Sequence, residues 1–505
     1  MYINIINNIN NINNINNICL MYTMIKNIYK TLLKKHKYFS YTIYGIIFIL
    51  IIIMVVYNIY KIYRKLKQKN IYVGCLYSET GVIGKASHDN YKILLDSFKY
   101  LTEKHDCPIN IIPIYKDLGD DLNNITKWVE ECVKKYNIKY FFGCWRSSER
   151  RHILPLLQKY NLRLFYPLQY EGAEASKYIY YFGACPNQQI IPGLKYSFDH
   201  YYYYNDVYII GSDYSYSTVL IPQIKLFMDV HKGTYNKKLI DYKLFSLTET
   251  DFSSFIKQIF NKSPNGAIII NLINGKSYYD FSKQFYDMYH EHFPNNNNIL
   301  YAEQHELIKF FSDKKIKNVL KCAERYPSIS TSIVENDIPY EYHKYIQGNL
   351  YIWNFTNNII TDKSYYISSG DEQSDVDFDF LTKFYKKQNR PLGDTEYCSF
   401  LSASFFVSTI KKIIEDGGDI YDPDIYDKFK LITITSVSGD HIFFDNNHIT
   451  KIFYVLKFIG NEMTIDYQGF KNIVPAPISA LIYDKFLTVN SNPTILTISD
   501  RISSY

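Results

Sequence analysis

The sequence predicts an α/β protein: two doubly wound, Rossmann-like lobes behind an N-terminal transmembrane helix. Three observations predict it. From residue 71, strand-like apolar runs alternate with segments of helical period, the pattern of βαβ units and a parallel sheet. The alternation pauses at "PNQQ" (186–189) and then resumes, giving a second unit. Ahead of both, 38–60 runs without a charge. A chain of 505 residues with 47% hydrophobic and 21% charged residues is too long for one core and apolar enough to fold over most of its length.

Residues 1–37 form a head and a basic flank. The Asn/Ile repeat "MYINIINNINNINNINNI" carries neither turn chemistry nor caps, and a disordered segment is expected. Residues 38–60 exceed the roughly 20 apolar residues needed to span a bilayer, and tyrosines crowd both ends as an aromatic belt. A signal peptide has a shorter core and a small-residue cleavage site, and neither is found here. Lys34, Lys35 and Lys37 precede the run, and Lys61, Arg64 and Lys65 follow it, so flanking charge does not orient it. Glycosylation sequons at Asn124, Asn261 and Asn354 all lie downstream, which favours a single-pass protein with its large domain on the non-cytoplasmic side. A basic linker occupies 61–70.

The first unit begins with "IYVGCLY", a strand, and the turn "SETG". A helix over 88–104 follows, with Tyr91, Leu94, Leu95, Phe98 and Leu101 on one face. "INIIPIY", "IKYFFG" and "LRLFYP" are further strands, separated by helices over 121–136 and 148–160. The second unit reads helix 188–201, "DVYIIGS", helix 215–231, "KLIDYKLF", helix 252–261, "GAIIIN", helix 276–291 and "NILYA". Crossovers are expected near 185–190, 345–353 and 433–440. The first lobe is then 71–188 plus about 348–435, the second 189–347 plus about 436–475, and 476–505 a tail.

Composition excludes several functions. A net charge of +6, carried on scattered lysines, offers no basic stripe for nucleic acid. Eight cysteines show no C-x-x-C pair and no zinc spacing, so a metal site or disulfide framework is not expected. "HEH" (290–292) lacks zinc spacing, and the acidic runs from 371 and 416 miss the EF-hand pattern. With no G-x-S-x-G elbow and no P-loop, neither an enzyme nor a cofactor is indicated.

Doubly wound sheets take ligands outside the carboxyl ends of their strands. The unusual polar clusters sit there: Ser78 to Gly81, Trp145 to Ser148, Tyr166 to Tyr170, Ser212 to Tyr216, and Asn271 to Gly275. Two apolar runs end in "GCWRSSERR" and "LFYPLQYEG", which look like two halves of one pocket. From the residues alone, Ser147 and Ser148 suit capping of the next helix better than a pocket, with Glu149 and Arg150 in solvent. Arg146 reads as a rim residue and Glu171 as a turn residue.

These blocks, with "LYSETG", "YYFGACPNQQIIPGL", "IIGSDYSY" and "TDFSSFI", resemble the urea- and short-chain-amide-binding branch of type I periplasmic solute-binding proteins. Those are receptors of ABC importers and amide-responsive regulators. The resemblance runs from about 71 to about 470 and is densest over 141–217. Trp after the Gly-Cys pair and Gln before Tyr-Glu-Gly match the urea-binding members. It implies two lobes joined by three crossovers that close on ligand. By residue, it implies pocket positions at Trp145, Ser147, Tyr166, Gln169 and Tyr214. Tyr216 can pack on a flat solute, and Ser78 and Thr80 are further candidates that also suit helix capping. Arg146, in place of a small residue, and an insertion between Glu303 and Gly348 depart from the pattern.

The implied function is capture of urea or a small amide by a membrane-anchored binding protein. Uptake or sensing would follow, with the bilayer as partner through 38–60 and an ABC permease if transport is retained. The competing reading is a structural or adhesive ectodomain that keeps the fold without the ligand.

Overall fold

A computed structural model describes residues 22–27, 30, 39–67, 69–81, 84–104, 109–172, 174–294, 321–334, 338–361, 372–421, 428–429, 432–444, 446–469 and 473–476. The Asn/Ile repeat over 1–18, the strand "NILYA" and most of the C-terminal tail lie outside these residues. The chain divides into two compact units, 1–69 and 70–505.

In the first unit, α1 spans Phe39–Lys67. Its side chains are described from 45 to 59, where Ile46, Phe48, Ile49, Leu50, Ile53 and Val56 are exposed. Among the described residues no helix is long and apolar enough to cross a membrane. The transmembrane helix expected over 38–60 is thus present as a helix, and its spanning is not shown.

The second unit holds two sheets. The first comprises β1 (Lys69–Leu76), β2 (Ile109–Tyr115), β3 (Tyr140–Gly143), β4 (Arg163–Tyr166) and β5 (Ile179–Tyr181), in the order β2-β1-β3-β4-β5. The pairs β1/β3, β3/β4 and β4/β5 are parallel. Between them run α2 (Gly84–Lys104), α3 (Leu122–Tyr136) and α4 (Ser147–Lys159). Local signals set α3: the Asp121 carboxylate accepts the Asn123 N–H at 2.9 Å, and Asn137 ends the helix at φ 51°.

The second sheet follows the 3₁₀ turn Pro186–Gln188. Its helices are α5 (Ile190–His200), α6 (Ser215–Val230), α7 (Ser253–Lys262) and α8 (Lys276–His292). Its strands are β6 (Asp206–Ser212), β7 (Lys238–Phe245), β8 (Ile268–Leu272), β9 (Ser328–Ser330) and β10 (Leu350–Trp353). After α9 (Glu372–Gln388), α10 (Asp394–Glu415) and the hairpin β11 (Ile434–Ser436)–β12 (Gly439–His441), the sheet is completed by β13 (Tyr454–Ile459) and β14 (Glu462–Gln468). Its order is β14-β13-β10-β9-β8-β6-β7, antiparallel only at β10/β13 and β13/β14.

One expected lobe boundary shifts within its crossover, and the last crossover moves. Leu350–Trp353 pairs with β9 and β13, so the return to the first lobe comes after 353 rather than at about 348. The β11–β12 hairpin packs with α9 and α10, and His448 bridges to Tyr181 of the first sheet, so the last crossing falls near 449–453 rather than 436. Extended apolar chain continues on both sides of each crossing, so no break in periodicity marks it. The insertion after Glu303 contains β9, a working strand of the second sheet.

Amide side chains stitch the three crossings together. Asn354 Nδ2 donates to the carbonyls of Gln188 (3.0 Å) and Ile452 (2.5 Å). Gln188 Nε2 donates to Ile449 O, and Gln189 Nε2 donates to Ile352 O. Asn354 is therefore 1% exposed, unlike Asn124 and Asn261, and its sequon is closed to modification in the folded chain.

Candidate functional site

The turn after β3 builds the first half of the site. Gly143 (φ 112°) and Cys144 (φ 64°) both take left-handed conformations, and the Cys144 N–H donates to Leu76 O at 2.8 Å. A Cβ at 143 would stand 2.5 Å from that same carbonyl, so glycine is required. A cysteine at positive φ costs on the order of 1 kcal/mol, which the closely packed first sheet maintains. The pair swings Trp145, Arg146 and Ser147 out at the head of α4.

The serines do not cap that helix. The Glu149 carboxylate reaches back to accept the N–H groups of Trp145 (2.8 Å) and Arg146 (2.9 Å). Ser147 is free to turn away, and its hydroxyl donates to Glu171 Oε2 at 2.7 Å. Arg146 folds along the rim onto Glu149 (2.7 Å) and the Asp120 carbonyl (3.0 Å). The Trp145 indole is half-buried against the first-lobe core.

Arg150, Glu171 and Glu174 form the centre, and sequence reasoning missed them. Arg150 and Glu171 are fully buried, not solvated or in a turn. The Arg150 guanidinium makes two parallel 3.0 Å bonds to Glu174 and stands 3.7 Å from Glu171. Its face lies 4.7 Å from the ring centres of both Tyr166 and Tyr170. Arg151 pairs with Glu171 as well. Burial pushes the Glu174 carboxyl up, but Arg150, the Tyr181 hydroxyl and Arg151 more than offset this and hold it below the ordinary range. Two guanidiniums face two carboxylates, and the cluster is neutral.

The available signal was complementarity between "SSERR" and "YEGAEA", basic at one strand end and acidic at the next. Isolated charges in the first turn of a helix and in a loop read as solvated unless the two segments are known to meet.

The second lobe supplies the opposite wall. Tyr214 accepts from Asn274 Nδ2 at 2.7 Å, and Tyr216 shares a 3.0 Å bond with Thr331. The two rings lie 6.1 Å apart. Burial first, then Tyr216, raises the Tyr214 phenol well above its usual range; the Asn274 bond opposes this, and Glu171 and Tyr166 add to it across the cleft. Gln223 Nε2 of α6 donates to the main-chain carbonyl of Glu171 at 2.7 Å, a direct bond between the lobes.

Ser147 and Tyr166 touch the Arg150–Glu171 cluster, Tyr214 and Tyr216 lie side by side after β6, and Trp145 and Gln169 follow the ends of β3 and β4. Ser78 and Thr80 are spent elsewhere: Ser78 Oγ donates to Gly119 O (2.8 Å) and Thr80 Oγ1 to Asp117 (2.7 Å), fastening two neighbouring loops. Tyr166 Oη and Gln169 Oε1 are buried without a hydrogen-bond partner.

Several solved structures share this fold. An ABC transporter solute-binding protein from R. palustris, in complex with 4-hydroxybenzoate, is 15% identical, with a TM-score of 0.59. The match covers 80% of this chain and 98% of that one. The branched-chain amino acid transporter substrate-binding protein LivJ from Streptococcus pneumoniae, in complex with isoleucine, is 12% identical with a TM-score of 0.59, over 80% and 100% of the two chains. A leucine-binding protein from Thermotoga maritima gives 10% and 0.58, over 79% and 98%. The periplasmic binding protein domain itself matches residues 71–460. The chain belongs to the periplasmic binding protein domain family.

Proposed function

We propose that this protein captures urea or a short-chain amide between its lobes, held at a membrane by 38–60, for uptake through a separate permease or for sensing. One observation supports the solute class: Tyr166 Oη, beside the cluster, and Gln169 Oε1, three residues further on, are buried and unpaired while the cluster's charges cancel. Each such atom costs about 1–3 kcal/mol until something bonds it. A neutral planar molecule with a carbonyl and NH2 groups supplies both partners, an acceptor for the phenol and a donor for the amide oxygen. A carboxylate ligand is disfavoured, because Arg146, Arg150 and Arg151 are each committed to a glutamate.

Calorimetry of the full chain in nanodiscs against urea, acetamide, benzoate and isoleucine tests this. Heat from urea alone, or urea over acetamide, supports the reading; saturable binding of benzoate or isoleucine in its place overturns it. The bond from Gln223 to Glu171 supports a second reading, in which the lobes close without ligand and the domain serves as a structural or adhesive ectodomain. In that case none of the four compounds produces heat.

A further inference from the structure

Asp394 and Cys398 stand four residues apart in the first two turns of α10, so they share one face of that helix. The Cys398 thiol donates to Asp394 Oδ2 at 3.6 Å, and Asp394 Oδ1 accepts the Asn354 N–H of the second crossing at 3.1 Å. From the other side, Lys451 in the last crossing donates from Nζ to Cys398 Sγ at 3.0 Å. Cys398, Lys451 and Asp394 are 0%, 1% and 2% exposed.

A thiol is an unusual partner for a buried ammonium, which ordinarily needs oxygen acceptors or a carboxylate. Three lysines are buried among the described residues. Lys237 donates to the carbonyls of Tyr201 and Tyr204, and Lys457 donates to Asp466. Lys451 alone of the three is set on a sulfur.

We propose that Cys398 and Lys451 are a covalent modification site, joined by a reversible Sγ–O–Nζ bridge with dioxygen as the oxidant. The thiol, the neutral amine and O2 give Cys398 Sγ–O–NζH Lys451 and one water. The S–H bond and one N–H bond break, and an S–O and an N–O bond form. Sulfur and nitrogen give up two electrons each; these reduce O2, one atom of which stays as the bridge while the other leaves as water. The amine must first lose its extra proton, and the hydrogen bonds from Lys451 through Cys398 to Asp394 mark the route: Lys451 protonates the sulfur as the thiol protonates the carboxylate. Burial raises the Asp394 carboxyl, against Lys451 and the Asn354 N–H, which suits an acceptor of that proton. Burial, with Asp394 adding to it, pushes the Cys398 thiol up to about 12 and protects it from reagents that attack thiolates. Dioxygen, small and uncharged, enters a dry core from which charged oxidants are excluded. The bridge joins positions 53 residues apart and fastens the last crossing to α10, which packs along α2 in the first lobe.

The full chain, purified under dithiothreitol and then held in air-saturated buffer, tests this by intact mass and tryptic mapping. Mass should rise by about 14 Da, one oxygen gained and two hydrogens lost, with Cys398 and Lys451 recovered in one cross-linked peptide. Trypsin should no longer cut after Lys451, the melting temperature should rise, and dithiothreitol should reverse these changes. Anaerobic incubation should produce none of them, nor should Cys398→Ser or Lys451→Met. A free Lys451 in the air-exposed parent chain, with Cys398 a thiol or a sulfinic acid, overturns the bridge whatever the variants do. So does a loss of about 2 Da in the cross-linked peptide, the mark of a direct Sγ–Nζ bond.

Discussion

Gln223, on the second lobe, donates its side-chain amide to the main-chain carbonyl of Glu171 on the first, at 2.7 Å. One neutral hydrogen bond contributes about 1 kcal/mol, enough to shift an open–closed equilibrium about fivefold. Gln223→Ala should therefore enlarge the radius measured by small-angle scattering without ligand, and saturating urea should restore it. An unchanged profile would mean that other contacts hold the lobes together.

Selectivity should reside in Gln169. At about 100 times Kd, a ligand adds roughly 2.7 kcal/mol to stability, so urea should raise the melting temperature visibly. Acetamide has a methyl group where urea has a second NH2 and should do so much less. Gln169→Leu should remove most of the urea effect, and Arg146→Ala, altered only at the rim, should leave it intact.

Arg150 is the residue whose loss should cost most. Arg150→Met leaves Glu171 and Glu174 buried beside Tyr166 and Tyr170 with only Arg151 to match them, and about 3–5 kcal/mol of stability should go. Guanidinium denaturation gives the number. Adding Glu174→Gln and Glu171→Gln to Arg150→Met should recover part of it, because the uncompensated charges are gone.

Acid should weaken the fold earlier than its carboxylates alone would. Burial lowers His441 to about 4, with Lys451 adding to the effect. Burial, with Arg150 also contributing against the bond to the Asn446 carbonyl, lowers His448 to about 3. Both fold neutral but take up protons when unfolded, near pH 6.5. Stability is then full above about 6.5 and falls as pH drops toward the folded values, by up to about 1.4 kcal/mol per pH unit for each histidine. Denaturation curves at several pH values between 5 and 7.5 would show it; a flat profile would contradict it.

If the large domain is translocated, as the sequons favour, glycans should appear at Asn124 and Asn261 and be missing from Asn354, whose amide is consumed by the crossover bonds. Peptide mapping after expression in a secretory host decides this. Occupancy at 354 would require modification before folding.

Regular periodicity made most of the fold legible. Runs such as "IKYFFG" and "DVYIIGS" are apolar on both faces because parallel strands are covered on both, and the intervening helices begin and end within a few residues of expectation. The candidate pocket was partly legible: Tyr166 and Tyr214 follow directly from strand ends. Arg150 and Glu171 were not, since one is an ordinary charge in the first turn of a helix and the other a loop charge until the fold sets them 3.7 Å apart. The crossovers were blurred for a related reason: their fastening comes from Gln188, Gln189 and Asn354, whose partners are main-chain carbonyls that leave no trace in sequence.

The ion pairs of the site, Arg150 and Arg151 with Glu171 and Glu174, belong to the first lobe alone, while the second contributes phenols and amides. Parting the lobes therefore separates no opposite charges there. Among the described residues of the site, dissolved salt, which weakens attractions across open water over about 8–10 Å, has nothing to screen in that movement. The trap should open as readily in brine as in dilute buffer.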